Sequence, residues 1–270
     1  VDVLQNKAPN GIDPIESKAA MSTTSKMYKM SSSEHLIQTI CNNGFTHTDT
    51  TYVHPRKEKK LGFQKHLMVF EHASKGYIDE NNKVRMLVTN SHDGSSCVVF
   101  NIGVYRMICA NGLVVGDSLF EIKVKHLGDD FIHDVRIACK NMIELFSTVA
   151  DRVRKMQNTI LDDNQINQLC EKIAMRRLSH VNDLIDFDME MLKAPTRNED
   201  KGNTLYVAFN RAQEIALNGG LTYKFKKSVE DSVDGTTHTI IKKTTRKIKS
   251  IDKTIELNKF IWSEAEKLAA

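Results

Sequence analysis

No apolar run in this 270-residue chain approaches the ~20 residues that a bilayer-spanning helix needs. No apolar segment of secretory type follows a basic start, so a cytoplasmic protein is expected, without membrane association. The five cysteines, Cys41, Cys97, Cys109, Cys139 and Cys170, form no CxxC pair, and an odd number cannot close a complete disulfide framework. Each lies in an apolar pattern, which reads as a small buried hydrophobe in a reducing compartment. The ten histidines make no HExxH and no Cys/His zinc spacing; His126 and His133 merely flank an expected strand-to-helix turn. There is no Walker loop, dinucleotide fingerprint or strong nucleophile motif, so no metal and no cofactor are expected. Nor is there an excess of one charge. Lys+Arg number 38 against 34 Asp+Glu, a net +4, so any affinity for nucleic acid must come from local clusters.

What is present is ample apolar content, 40% of the residues, carried in two periods. Residues 1–30 read as an irregular leader, broken by Pro9, Gly11 and Pro14; it is either a natural extension or residue from upstream of a start at Met21. Ser31 with Glu34 forms a capping-box signature ahead of Leu36, Ile37, Ile40 and Cys41, and Gly44 suits the helix end. From Gln64 to Lys125 the period is two: Val84, Met86, Val88, then Val98, Phe100, Ile102, then Phe120, Ile122, Val124. Asn81-Asn82, Asp93-Gly94, Asn111-Gly112 and Gly116-Asp117 supply turns, with Gly112 expected at positive φ. Beyond Asp129 and Asp130 the period turns helical, with Ile132, Val135, Ala138, Met142, Phe146, Val149, Val153 and Met156 on one face. Further helices are expected over Asn164–Leu178 and over Val181–Leu192, the latter with Leu184 and Ile185 inward. A polar loop follows, then a helix over Thr204–Leu217, a hairpin, and a terminal helix carrying Ile251, Ile255, Ile261 and Leu268. The expected fold is α+β: an antiparallel meander sheet packed by a long helix, with C-terminal helices and a basic β-hairpin. Residues 31–193 form the core, and 194–270 a helix–hairpin–helix unit.

The stretch Thr89-Asn90-Ser91-His92-Asp93-Gly94-Ser95-Ser96, followed by Tyr105-Arg106 and Cys109-Ala110-Asn111-Gly112-Leu113-Val114, resembles the signature of a phage/plasmid-like family catalogued as a domain of unknown function. Lys125 to Gly128, Leu205 to Asn210, and Ser250 to Asp252 with Leu257, Asn258 and Trp262 resemble it in order and spacing, so the resemblance runs from about Gln64 to the C-terminus. Val207 departs from it, standing where an Asn is expected before the helix alanine. The resemblance implies a mobile-element setting and a host cell's cytoplasm, and brings no catalytic residues.

Two places carry chemistry. His92 and Asp93 with the surrounding hydroxyls suit acid–base work or phosphate binding, or they form a tight turn in which Asn, Asp and Ser bond their own backbone. Arg106, among apolar strand neighbours, either pairs with Asp93 across the hairpin or presents its fork to a phosphate. The stronger electrostatic signal is the hairpin. A two-residue turn at Asp234-Gly235 would set Val233 opposite Thr236, Lys227 opposite Lys242 and Lys226 opposite Lys243. That register gathers Lys224, Lys226, Lys243 and Lys247 on one face, and mixes Tyr223 and Phe225 with Lys227, Lys242 and Arg246 on the other. Cations interleaved with rings match a single strand's phosphates and exposed bases; the same lysines also protect a sheet edge from aggregation. Arg56, Lys57, Lys59 and Lys60 read as a solvated loop.

Three functions compete. The first is a single-stranded nucleic-acid-binding protein, such as a DNA annealing or recombination accessory, working as a homo-oligomer. The second is an enzyme on nucleic acid or nucleotide using His92, Asp93 and Arg106, with Cys109 nearby. The third is a virion component or a protein that engages a host defence protein.

Overall fold

The computed structural model describes residues 4–5, 12–53, 55, 57–106, 113–115, 121–126, 130–231 and 235–270. The expected Asn111-Gly112 and Gly116-Asp117 turns, Cys109, Phe120, Asp129 and Asp234 lie outside them. The chain is mixed α+β and divides into two compact units, Val1–Arg152 with Lys249–Ile255, and Val153–Ile248 with Glu256–Ala270.

The first unit is built on a seven-stranded sheet, antiparallel throughout: β1 (Leu4–Gln5), β2 (Phe45–Val53), β3 (His66–His72), β4 (Asn82–Asn90), β5 (Val98–Arg106), β6 (Leu113–Val115) and β7 (Ile122–Val124). The strands follow one another in order, except that β6 and β7 share one edge of β5. There β6 pairs with Ile102–Val104 and β7 with Val98–Phe100. Period-two alternation sends Met68 and Phe70, Val84, Met86 and Val88, and Phe100, Ile102 and Val104 to one face, where all are buried. Helix α2 (Phe131–Asn158) covers that face. Val135, Ala138, Met142, Phe146 and Val149 are buried at helical spacing, and the Phe146 ring meets Phe45 of β2 edge-on at 6.1 Å. On the opposite face Leu67, Val69 and Leu87 pack with Ile255.

Several expectations need correction here. β2, Phe-Thr-His-Thr-Asp-Thr-Thr-Tyr-Val, was not anticipated because its inward residues are largely polar, and a bulge between His47 and Asp49 breaks its alternation. The leader is not wholly irregular: Leu4 and Gln5 pair with Val53 and Tyr52, and Met21 is buried. Helix α1 (Ser33–Cys41) is capped by Ser32, whose hydroxyl accepts from the His35 N–H, rather than by Ser31.

In the second unit α3 (Asp163–Arg177) opens on a full capping box from Asp162 and Gln165. The helix expected over Val181–Leu192 does not form. Asp183 takes φ +52, Leu184–Phe187 is strand β8, and only Glu190–Lys193 (α4) is helical; Ile185, expected inward, is 45% exposed. Pairing with β9 (Gly219–Asp231) decides the matter, since β9 offers β8 a hydrogen-bonded edge and a four-residue apolar signal is too short to fix helix over strand. α5 (Leu205–Asn218), capped by Thr204, and α6 (Ile251–Ala269) fall where expected. Phe209 of α5 meets Trp262 of α6 edge-on at 6.1 Å in the core. β9 continues into β10 (Gly235–Arg246), giving the sheet order β10-β9-β8. Among the described residues no helix is long and apolar enough to cross a membrane.

Candidate functional site

In the hairpin of β9 and β10, Asp231 pairs with Gly235, so the register differs by three positions from the expected one. Lys226 faces Ile240 and Lys227 faces Thr239; the expected pairs of Lys226 with Lys243 and Lys227 with Lys242 do not exist. The like charges that do stand opposed are Lys224 and Lys242, while Tyr223 faces Lys243 and Phe225 faces Ile241. One face therefore carries Lys224, Lys226 and Lys242. The other carries Tyr223, Phe225, Lys227 and Lys243. Lys224, Lys226, Lys227, Lys242, Lys243, Arg246 and Lys247 are all exposed. Tyr223 is buried, its ring 5.9 Å from that of Phe225. Phe225 is half-buried, with the Lys243 ammonium 5.1 Å from its ring centre. Of the two expected stacking platforms, only Phe225 keeps ring surface in reach of a base.

The second expected constellation comes apart. Arg106 pairs in the ladder with Asn82, at the opposite end of the β4–β5 hairpin from Asp93, roughly 25 Å away at strand rise. That separation is too great for the expected pair across the hairpin, and the Asp93 carboxylate is bound by Lys60 at 2.7 Å and by the Ser95 N–H and hydroxyl. These contacts hold the Asp93 carboxyl below its ordinary range against the opposing effect of burial. Lys60 thus has a structural partner, while Lys57 and Lys59 of the same stretch are exposed.

His92 faces inward, into a buried polar cluster. Ser33, the first residue of α1, places its Oγ 2.7 Å from His66 Nε2, 3.2 Å from His92 Nε2 and 2.9 Å from Asn90 Nδ2. His126 Nε2 lies 3.0 Å from Asn90 Oδ1, and His66 Nδ1 lies 3.1 Å from the Gln64 carbonyl. Ser33, His66, Asn90 and His92 have no solvent exposure, and His126 has 4%. The bonding fixes the proton of His66. A carbonyl only accepts, so His66 carries its proton on Nδ1, and its bare Nε2 takes the Ser33 hydroxyl proton. Asn90, whose amide N–H points at Ser33, presents Oδ1 to His126 Nε2 and accepts there from the Ser91 N–H. Burial drives all three rings toward the neutral form. It pushes His66 and His126 down to about 4, and lowers His92 against the opposing pull of Pro14's backbone and Asp93.

The segment before α1 is tied over this cluster. The Met21 N–H donates to the His92 carbonyl at 2.9 Å, the Tyr28 hydroxyl to the Ser91 carbonyl at 3.0 Å, and the Lys29 N–H to the His126 carbonyl at 2.9 Å. The Tyr28 ring lies 4.7 Å from that of His126, and burial raises its hydroxyl to about 12, so it remains a protonated donor. Gly94 turns the β4–β5 connection at φ +74, and the same segment's Thr24 sits 3.2 Å from where a Cβ would stand. Among the described residues no group of three or more His, Cys, Asp or Glu is arranged to hold a metal ion.

The model of a family described as "Domain of unknown function (DUF932)" matches residues 20–262. The match includes Ser33, His66 and His92, and begins well before Gln64, where the motif resemblance starts. The UPF0380 protein YfjQ of Escherichia coli (strain K12) is 27% identical over 233 residues, 86% of this chain and 79% of that protein. The UPF0380 protein YafZ of the same organism is 28% identical over 193 residues, 72% of this chain and 65% of that protein, just under two thirds of its length. No solved structure matches.

Proposed function

We propose that this chain, which belongs to the family described as Domain of unknown function (DUF932), binds single-stranded nucleic acid through the β9–β10 hairpin. The observation that supports the reading is the crowding of Lys224, Lys226, Lys227, Lys242, Lys243 and Arg246 on two strands, with Lys247 just past the second, all exposed. Among the described residues no salt bridge links any of them to a carboxylate. Opposing Lys224 to Lys242 costs stability in the free protein, and an anionic backbone laid along the strands removes that cost. Phe225, with Lys243 above its ring, offers a flat partner to a base. A single strand suits this surface better than a duplex because stacking on Phe225 requires an unpaired base. A phage or plasmid setting, an annealing or recombination role and a homo-oligomeric state belong to the same proposal.

Fluorescence anisotropy with a labelled oligonucleotide tests it. Binding that weakens steeply with salt, and that a single strand wins over a duplex, is the expected result. Absence of binding at low salt refutes the proposal. A pull-down from plasmid-bearing cells with and without nuclease separates nucleic-acid partners from a host-protein partner.

A further inference from the structure

We propose that Ser33 is a nucleophile toward neutral carboxylic esters, with His66 as its base and segment 12–30 as its cover. The inference concerns the first unit alone and is independent of the hairpin. It starts from the fact that α1 is already capped by Ser32, so the Ser33 hydroxyl is not needed to close the helix. That hydroxyl instead donates to a bare imidazole nitrogen at 2.7 Å, on a ring whose proton is held at Nδ1 by the Gln64 carbonyl. A neutral imidazole so placed accepts the hydroxyl proton as the oxygen attacks. As Oγ bonds to the acyl carbon, the negative charge passes to the ester carbonyl oxygen, and the groups beside Oγ placed to meet it are Asn90 Nδ2, at 2.9 Å from Oγ, and His92 Nε2, at 3.2 Å. A purely structural serine needs only one donor and one acceptor, and burying two imidazoles against it, with a third behind Asn90, is a costly way to supply them.

The substrate class follows from the charges. The groups around Oγ are neutral imidazoles and an amide, and the nearby Asp93 is bound by Lys60, so a neutral ester suits the site better than a phosphate. In the first step the Oγ–C bond forms, the ester C–O bond breaks, the Ser33 proton passes to His66 Nε2, and the alcohol departs with it. In the second, water attacks the acyl group, His66 takes the water's proton, and the acid leaves as Ser33 Oγ regains its hydrogen. Ser33 is fully buried, with Met21, Tyr28 and Lys29 bonded to the His92, Ser91 and His126 carbonyls, so ester reaches it only when this segment moves.

The test uses the full chain with p-nitrophenyl acetate and with a fluorophosphonate probe, the labelled residue being found by mass spectrometry. A p-nitrophenolate burst approaching one equivalent, and labelling at Ser33, are expected; Ser33→Ala abolishes both. Tyr28→Phe removes one tie of the cover and keeps its ring, and accelerates labelling by about tenfold, a factor that corresponds to one lost hydrogen bond. Met21→Ala loosens the same cover should Tyr28→Phe fail to fold. Labelling should also fall with decreasing pH as His66 gains a proton. A folded parent and a folded cover variant that both leave Ser33 unlabelled overturn the proposal, as does a burst that survives Ser33→Ala.

Discussion

Acidification should destabilise the first unit before its carboxylates begin to titrate. His66 is pushed from 6.5 down to about 4, so the folded state refuses a proton that the unfolded chain accepts. The stability this supports is fully present above pH 6.5 and is lost as pH falls from 6.5 toward 4. One histidine shifted that far accounts for on the order of 3 kcal/mol over the window, at about 1.4 kcal/mol per pH unit. His126 and His92 shift in the same direction and steepen the fall. The groups that oppose it are Asp93 and Asp13, whose charges favour the protonated rings. Asp93 and Glu71 are held below their ordinary values of 3.8 and 4.5, so their contributions are lost only below those values and touch no more than the acid end of the histidine window. Urea titrations at pH 7.5, 6.5, 5.5 and 4.5 measure the slope, and His66→Gln should reduce it by up to one proton. A stability that is flat between pH 6.5 and 4.5 refutes the proton assignment and the burial argument together.

Two further outcomes are expected from the backbone and the hairpin. Gly76→Ala places a methyl 2.7 Å from the Val84 carbonyl oxygen and 3.0 Å from the Phe146 ring at φ +91, whereas Gly202→Ala, at φ +114, meets nothing within 4 Å. The first should cost about 2 kcal/mol or more and the second about 1 kcal/mol, so equal losses in thermal denaturation would contradict the steric reasoning. Lys242→Thr removes the charge opposite Lys224 while leaving Lys224 beside Asp186, and should raise stability by a few tenths to about 1 kcal/mol; a fall would show that the two lysines do not repel.

The sheet and its covering helix were legible because their apolar residues repeat cleanly at two and at 3.6. β2 was not, since Thr46, His47, Thr48, Asp49, Thr50 and Thr51 give no apolar alternation and its place is set by pairing with β3. The hairpin's existence was readable, but its register was not, since neither strand carries an apolar alternation strong enough to set the pairing. The buried cluster draws on positions 33, 66, 90, 92 and 126, brought together only by the fold. A trace of it was nonetheless present. His66 is in phase with Met68 and Phe70, and Asn90 with Val84, Met86 and Val88, so each occupies an inward strand position where a polar residue is out of place; His126 lies two residues past the end of β7 and is also buried.

The salt dependence of oligonucleotide binding tests the central claim most directly, comparing the parent with a variant in which Lys226, Lys227, Lys242 and Lys243 are all Ala. Each lysine that contacts phosphate releases about 0.7 counterions on a single strand, so the slope of log K against log salt should fall by up to about 3 units. The variant should remain folded, since all four side chains are exposed. Replacing Phe225 should lower affinity by about 1–3 kcal/mol with little change in slope. A folded quadruple variant that binds with the parent's affinity and slope would show that the hairpin is a protected sheet edge and no nucleic-acid site.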